Sequence, residues 1–275
     1  MLHEGLNNAL RFKIISEDTN CVQSGLYCEL AEDDDASFAH FDDVRRNMIK
    51  IPAENETSFD TYLSAQGEIP KPGLIVCSEA FGITSHMRSV ADGFARLGYL
   101  VVVPDLLWRL EPNLEIAYNE AGLKRASEIA DAFDKDTGAN DIERTLAQVR
   151  QRKDCDGKVG VLGFCIGGAV AYLGAVRSKF DACISYYGKG IENYLSEAET
   201  LTCPTVLHYA GADRFIPPST VAEVRQRLGT KQNVEIYDYP GVDHGFNSED
   251  RKAYNPAAAK LAMQRTLKVL KQLQA

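Results

Sequence analysis

A short glycine-rich stretch constrains the fold of this chain more than any other feature. Residues 163–168 read Gly-Phe-Cys-Ile-Gly-Gly and lie directly between two apolar runs. This order predicts a strand, a sharp turn that carries Cys165, and a helix. Gly163 and Gly167 leave room for the turn, because a side chain at either position would collide with the neighbouring strand or helix. The positive N-terminal end of the following helix points at the sulfur and favours its thiolate form.

A turn of the form Gly-x-Cys-x-Gly is typical of the nucleophile elbow of α/β-hydrolases, with cysteine where serine is usual. In that fold an acid and then a histidine follow the nucleophile along the chain. Asp213 follows the strand-like run 205–209, and His244 follows the strand-like run 234–239. Both fall at the carboxyl ends of strands, where open α/β sheets build their sites. We therefore predict Cys165, Asp213 and His244 as nucleophile, acid and base.

Each of these residues also has a structural interpretation. Cys165 could be a small core residue, since free cysteines are often buried, and Asp213 could form a turn. Asp243 is the main alternative acid, but it directly precedes His244, so its side chain should point elsewhere. Of the five histidines, His244 alone lies in a glycine-rich loop after a late strand. His208 lies within a strand pattern and is expected in the core or at an interface.

Further stretches resemble the dienelactone hydrolase family, the carboxymethylenebutenolidases. They are Ser-Glu-Ala-Phe-Gly at 78–82, Pro-Asp-Leu at 104–106, the segment 160–168, Ser-Tyr-Tyr-Gly at 185–188 and Asp-His-Gly-Phe at 243–246. The pair Glu-x-Phe-Gly and Gly-x-Cys-x-Gly-Gly is specific, and the likeness covers most of the chain. The resemblance implies a single-domain α/β-hydrolase that opens lactones or esters with a cysteine nucleophile and no cofactor.

The resemblance also implies roles for residues near the elbow. In the family, the glutamate that matches Glu79 pairs with the resting thiol and takes its proton when substrate arrives. Glu79 could instead be a solvated carboxylate or cap the helix predicted at 86–97. The backbone N–H groups of Ile166 and, by resemblance, Ala80 would form the oxyanion hole.

The predicted reaction is hydrolysis of an ester or lactone through a thioester on Cys165, with His244 held in its tautomer by Asp213. A cysteine is also a good leaving group, which argues against a protease. A broad-range carboxylesterase or thioesterase that does not act on dienelactone is the alternative function. A redox-sensing thiol protein would need a resolving cysteine, and the nearest, Cys183, lies in a strand pattern that buries it.

Aromatic side chains near the predicted strand ends could line an apolar substrate pocket: Phe81, Trp108, Tyr187 and Phe246. Trp108 could equally pack at the rim. Family members bind a substrate carboxylate with arginines, one of them just after the catalytic histidine. Here that arginine is displaced to Arg251, and the other expected region, 119–122, has none, although Arg109 could supply the contact. These departures argue against dienelactone itself and leave the thiol hydrolase unchanged.

Composition favours a soluble enzyme with a small-molecule substrate. A formal net charge of −9 and a pI of about 5.1 argue against binding to nucleic acid or to anionic membranes. The seven cysteines show no CxxC spacing, which argues against a metal site. A reactive thiol, an odd cysteine count and the lack of a signal or membrane-length apolar run predict a cytoplasmic protein. The chain is expected to be a monomer or a small homo-oligomer, and its sequence does not distinguish the two.

Strand and helix patterns alternate after a less regular beginning. Residues 1–45 are expected to form an extension, in which the acidic run 32–35, a possible edge strand at 10–15 and the anchors Phe38 and Phe41 stand out. An α/β-hydrolase domain is predicted over 46–275. It would open with a hairpin, 47–51 with 59–63, and continue with strands at 74–77, 99–103, 159–162, 182–187, 205–209 and 234–239. Helices are predicted at 86–97, 116–133, 140–151, 168–177, 218–228 and 257–272. This alternation predicts a mostly parallel sheet with helices on both faces.

Overall fold

The protein is described by a computed structural model, which covers residues 44–275. The predictions for the segment 10–15, the acidic run 32–35, Phe38 and Phe41 lie outside the described residues. No helix in the described range is long and apolar enough to cross a membrane.

One eight-stranded sheet forms the centre of the described chain. Its strands are β1 (Val44–Pro52), β2 (Ser58–Gln66), β3 (Lys71–Cys77), β4 (Leu100–Pro104), β5 (Cys155–Phe164), β6 (Ala182–Tyr186), β7 (Thr205–Ala210) and β8 (Val234–Tyr239). They follow one another in the sheet in the order β1-β2-β4-β3-β5-β6-β7-β8. The opening hairpin β1–β2 and the pair β2–β4 are antiparallel, and every other pairing is parallel. The predicted α/β fold with a mostly parallel sheet is confirmed.

Within the described residues, six α-helices cover the faces of this sheet: α1 (Ser85–Arg96), α2 (Glu120–Ala132), α3 (Lys135–Arg150), α4 (Ile166–Arg177), α5 (Pro218–Leu228) and α6 (Pro256–Leu270). Two 3-10 segments, Ile191–Thr200 and Lys271–Leu273, complete the described elements. The central strands are buried on both faces, since the side chains of β4 and β6 are fully covered. Such burial explains why these strands read as continuous apolar runs rather than as alternating patterns.

Capping side chains explain where the helices begin. Asn119 accepts a hydrogen bond from the Gly122 amide, so α2 begins several residues later than its apolar pattern suggested. Asp134 accepts bonds from two amides of the first turn of α3, which begins earlier than predicted. Pro256 occupies the first turn of α6, where its missing N–H would have had no partner in any case.

Candidate active site

Cys165 lies at the turn between β5 and α4. Its backbone has φ of 56° and ψ of −120°, a conformation that an L-residue adopts only under strain. The surrounding backbone holds it there: the Cys165 N–H donates to the Tyr186 carbonyl at 3.0 Å. The Cys165 carbonyl accepts from the amides of Gly168 at 3.0 Å and Lys189 at 3.2 Å. The elbow is therefore tied both to its own helix and to the chain that follows β6.

The glycines beside the elbow have no room for a side chain. A Cβ atom on Gly163 would lie 2.0 Å from the Gly167 carbonyl oxygen. A Cβ atom on Gly167 would lie 2.4 Å from the carbonyl oxygens of both Cys77 and Ser78, at the end of β3. The close approach of three backbone segments thus requires glycine at both positions, as predicted from the motif.

The loop after β8 places His244 beside Asp213. Its Nδ1 atom lies 2.8 Å from Asp213 Oδ2, and both side chains are 1% exposed. Asp243, the alternative acid, instead pairs with Arg214 at 2.6 Å. The Nε2 atom of His244 is buried and has no hydrogen-bond partner among the described residues. The imidazole therefore has one nitrogen fixed by a carboxylate and the other available to a reacting group.

The environment of His244 favours its protonated form. Burial by itself lowers the pKa of this histidine, but the interactions with the Cys165 sulfur and with Asp213 outweigh burial and raise the pKa to about 9. The charge interaction with the sulfur is the larger of these raising effects. An imidazolium stabilised in this way can both balance a thiolate and donate a proton.

Glu79 lies at the end of β3 and is 2% exposed. Its Oε1 atom accepts hydrogen bonds from Arg251 Nη1 at 3.1 Å and from the Tyr187 hydroxyl at 3.3 Å. Its Oε2 atom is buried and finds no partner within the described chain. The solvated and capping interpretations of Glu79 are both wrong, since the residue that caps α1 is Thr84.

Arg251 reaches the site despite its displaced position in the sequence. The Ser248 amide donates to the Gly245 carbonyl, and the Arg251 amide donates to the Ser248 carbonyl, both at 3.1 Å, which folds the chain back on itself. Gly245 has φ of +83°, and a Cβ atom there would lie 2.3 Å from Arg251 Nη1. The guanidinium is thus 7% exposed and lies between Glu79 and the pocket. The interpretation that this arginine is missing from the site is corrected.

A mainly apolar pocket opens above the Cys165 sulfur. It is lined by Ala80, Phe81, Leu123, Ala126, Ser127, Ala130, Cys165, Lys189, Phe215, His244 and Arg251. The α2 residues among these are spaced three and four apart and so share one face of the helix. Their spacing was visible in the sequence, but nothing in it indicated that this face turns to the elbow. Lys189 directly follows the Ser-Tyr-Tyr-Gly stretch, and Phe215 lies two residues after Asp213; both were missed.

Three of the four predicted pocket aromatics do not line this pocket. The Trp108 indole donates to Asp141 at 2.9 Å, and its ring stacks on Phe59 with centroids 5.8 Å apart. Phe246 is fully buried and packs edge-on against Tyr187. Tyr187 is also buried, with its ring centroid 4.8 Å from that of His244, so it packs against this histidine.

Arg109 is held away from the pocket in the same way as its neighbour Trp108. Its guanidinium forms a two-pronged ion pair with Asp141, which is fully buried. The chain after β4 is therefore bound to α3. Because its guanidinium is paired with Asp141, Arg109 does not supply the contact to a substrate anion that the sequence suggested.

The two residues predicted to supply the oxyanion hole lie in different elements. Ile166 is the first residue of α4, and Ala80 lies in the loop after β3; both are almost completely buried. Within residues 44–275, neither amide donates to a backbone carbonyl outside the regular hydrogen bonds of the helices and strands. The Ala80 loop is held in place by its neighbour Phe81, whose carbonyl accepts from the Ile116 amide at 2.9 Å.

The parallel sheet, the strained cysteine between β5 and α4, and the late histidine define an α/β-hydrolase. A model of the dienelactone hydrolase family matches residues 59–274. The chain belongs to this family, and it is a carboxylic ester hydrolase.

Curated proteins and a solved structure agree with this assignment. A putative carboxymethylenebutenolidase of Azospirillum brasilense is 36% identical over 229 residues, which cover 82% of this chain and 97% of that protein. The carboxymethylenebutenolidase of Pseudomonas putida is 29% identical over 227 residues, covering 82% and 96%. The crystal structure of a putative dienelactone hydrolase from Klebsiella pneumoniae matches with a TM-score of 0.73 and 26% identity, covering 83% of this chain and 99% of that one.

Proposed function

We propose that this enzyme hydrolyses lactone or ester bonds through a thioester on Cys165, with His244 as acid and base and Asp213 as its partner. One observation carries the proposal. The His244 ring is anchored to Asp213 through Nδ1, while its unpartnered Nε2 lies in the same pocket as the strained Cys165. This is the arrangement in which a nucleophile, a base and an orienting acid act as one unit.

Acylation begins when the Cys165 thiolate attacks the carbonyl carbon and forms a carbon–sulfur bond. The carbonyl π electrons move to the oxygen, which becomes negatively charged. The bond to the leaving oxygen then breaks, and that oxygen takes the proton of the His244 imidazolium. The raised pKa of His244 supports this step, because the imidazolium is populated at neutral pH. The products are a thioester and an alcohol or enol, which stays attached when the substrate is a lactone.

The oxyanion of the tetrahedral intermediate would be bound by the amides of Ile166 and Ala80. Both groups belong to ordered backbone, so they need no rearrangement when charge develops on the oxygen. Loss of one such donor typically costs about 3 kcal/mol of transition-state stabilisation.

In deacylation the same histidine accepts a proton, whereas in acylation it donates one. Neutral His244 removes a proton from water, and the hydroxide oxygen attacks the thioester carbonyl. The carbon–sulfur bond breaks, the acid leaves, and the thiolate and imidazolium are restored. Asp213 keeps the Nδ1 proton in place, so that Nε2 faces the reacting water throughout.

Glu79 provides a second proton acceptor beside the elbow. The family resemblance assigns it the proton of the resting thiol, and its unpartnered Oε2 atom is buried next to the pocket. Arg251 and Tyr187 hold the other carboxylate oxygen, which fixes the orientation of Glu79. A proton taken by Oε2 from the Cys165 thiol would neutralise the carboxylate and weaken its pairing with Arg251, so the guanidinium would become available to an anionic substrate group. The proton would return from Oε2 to the sulfur once deacylation has released the thiolate.

The pocket also supports the alternative function, a broad-range carboxylesterase or thioesterase. Leu123, Ala126 and Phe215 give the pocket an apolar character that suits an alkyl or aromatic ester. The two functions share one mechanism and differ only in the substrate.

The proposed location is the cytoplasm. Cys77, Cys155, Cys183 and Cys203 are buried and free, and Cys165 is partly accessible, so no disulfide joins these cysteines of the described chain. Such usage fits a reducing compartment. A monomer or a small homo-oligomer is proposed, without cofactor.

Steady-state hydrolysis of a dienelactone, p-nitrophenyl acetate and a neutral enol lactone tests the proposal, with Cys165→Ala and Cys165→Ser as variants. Loss of all three activities in Cys165→Ala, together with an acyl adduct of the wild-type thiol in mass spectrometry, is the expected result. Preference for the dienelactone would favour the family activity, and preference for neutral esters would favour the alternative. Activity that survives in Cys165→Ala would overturn the nucleophile assignment.

A further inference from the structure

Lys189 is a cation in the pocket that the mechanism above does not use. It lines the pocket together with Cys165, and its side chain is 35% exposed. Its backbone amide donates to the Cys165 carbonyl at 3.2 Å, so its Cα position is fixed relative to the nucleophile. A change of its side chain leaves this backbone contact in place.

The two pocket cations lie against different walls. Arg251 lies over Phe81, 5.5 Å from the ring centroid, and is paired with the buried Glu79. Lys189 instead lies over Phe215, with Nζ 5.7 Å from that ring centroid. Its carboxylate neighbour is Asp131 at 3.7 Å, which is 72% exposed. A long contact between exposed groups is weak, so the ammonium can exchange Asp131 for a better-placed anion.

Lys189 and His244 both lie against Phe215 and therefore share one side of the pocket. The Phe215 ring packs edge-on against His244, with centroids 5.0 Å apart. Because His244 must protonate the leaving oxygen, the alcohol part of the substrate has to lie on this side of the Cys165 sulfur. An aromatic or enolic alcohol part would thus contact Phe215, and an acid group on it would meet Lys189.

We propose that Lys189 and Phe215 form a subsite for the alcohol part of the substrate, and that this subsite selects phenol esters whose alcohol part carries a carboxylate. The inference rests on the proposed function, since it uses His244 as the proton donor to the leaving oxygen. Lys189 acts here in substrate selection and takes no part in bond making or breaking.

A matched pair of acetate esters tests the subsite: 4-acetoxybenzoate, with a charged alcohol part, and its neutral methyl ester. The quantity compared is the ratio of their kcat/KM values, because differences in leaving-group reactivity cancel between wild type and variant. In Lys189→Gln this ratio should fall about tenfold, the scale of one charge-assisted hydrogen bond, mainly through KM. Lys189→Arg should retain most of the preference, and Asp131→Asn should raise it by removing the competing carboxylate.

Lys179→Gln is the matched control, because it makes the same charge change just beyond the far end of α4, about 18 Å from the elbow by helix length. An unchanged ratio in Lys189→Gln, or an equal fall in Lys179→Gln, would overturn the subsite. For phenyl hydrogen adipate, whose carboxylate lies on the acyl part, kcat/KM should change no more in Lys189→Gln than in Lys179→Gln. A larger change in Lys189→Gln would overturn the assignment to the alcohol side. Failure of the proposed function itself would appear separately, as turnover of either acetate ester by Cys165→Ala.

Discussion

The Nδ1 atom of His244 lies 2.8 Å from Asp213 Oδ2, whereas the adjacent Asp243 directs its carboxylate to Arg214. The two acids lie on different loops: Asp213 follows β7, whereas Asp243 lies beside His244 in the loop after β8. Strands β7 and β8 pair in parallel. Their carboxyl ends therefore meet at one edge of the sheet, which brings together residues that are distant in the chain. Sequence adjacency, by contrast, points the Asp243 side chain away from the ring.

Asp213→Asn is expected to lower kcat for ester hydrolysis by about 10²- to 10⁴-fold, because the histidine loses both its tautomer control and the stabilisation of its charged form. Asp243→Asn keeps a side-chain oxygen that can accept from the backbone amides of His244 and Arg214, and it removes the charge that pairs with the Arg214 guanidinium, so kcat should change by less than about threefold. Stopped-flow or steady-state assays on p-nitrophenyl acetate distinguish the two. Similar losses of kcat in the two variants would contradict the assignment of Asp213 as the acid partner of His244.

Acylation should weaken as the pH rises through about 9. The pKa of His244 is raised to about 9, so the imidazolium that protonates the leaving oxygen is lost above that pH. We expect kcat/KM to fall on this alkaline limb. In Cys165→Ser the histidine loses its interaction with the sulfur charge, and its pKa, followed by NMR of the ring protons, should decrease. A histidine that titrates at the same pH with and without the sulfur would contradict this coupling.

Much of the fold, and the positions of the proposed catalytic residues within it, could be predicted from the sequence, because the signals there are local. The elbow needs glycines within a few residues of Cys165, and the strand that precedes each catalytic residue is a continuous apolar run. Asp213 and His244 could then be placed at one edge of the sheet by the parallel topology alone. Helix starts were less accurate, since the capping of α2 by Asn119 depends on one side-chain hydrogen bond.

The pocket walls could not be predicted in this way, because they depend on how loops and one helix pack across the site. Trp108 follows a strand end like Glu79 does, yet its indole is held by the buried Asp141 on α3. Arg251 seemed too far along the chain, but the turns after Gly245 return it to the site. In each case a long-range polar contact, which leaves no periodic pattern in the sequence, decided the position.

The pair formed by Glu79 and Arg251 should couple stability to catalysis. Both side chains are buried, so Arg251→Met leaves an uncompensated carboxylate and should lower the free energy of unfolding by about 3–5 kcal/mol. The double variant Glu79→Gln, Arg251→Met should recover part of this loss while remaining impaired in turnover. Urea unfolding at pH 7 measures the effect. Arg214→Met is the control, because its partner Asp243 is accessible and the loss should stay below about 1 kcal/mol.

If Arg251→Met lowers the free energy of unfolding no more than Arg214→Met does, the buried pair of Glu79 and Arg251 contributes no more to stability than an accessible ion pair. If the double variant is fully active, Glu79 is not needed to take the proton of the resting thiol, and His244 is left as the only proposed proton acceptor.

His208 should make the fold sensitive to acid. It is fully buried, with Nδ1 2.9 Å from the Tyr239 hydroxyl and Nε2 3.0 Å from the Thr266 hydroxyl, and burial lowers its pKa to about 3. Between pH 6.5 and pH 3 the unfolded chain binds a proton at this residue and the folded protein does not. Acidification over that range therefore lowers the free energy of unfolding, by at most about 1.4 kcal/mol per pH unit from this group.

His208→Gln should be less stable than wild type at pH 7, since it disturbs both hydrogen bonds, but the gap should shrink toward pH 4. Tyr239→Phe removes one partner and keeps the titrating ring, so its stability should follow the wild-type pH dependence. Urea unfolding of the three proteins from pH 7 to pH 4 gives the comparison. Parallel curves for His208→Gln and wild type would place the acid sensitivity on other groups, because only a residue with different pKa values in the folded and unfolded states contributes to the slope.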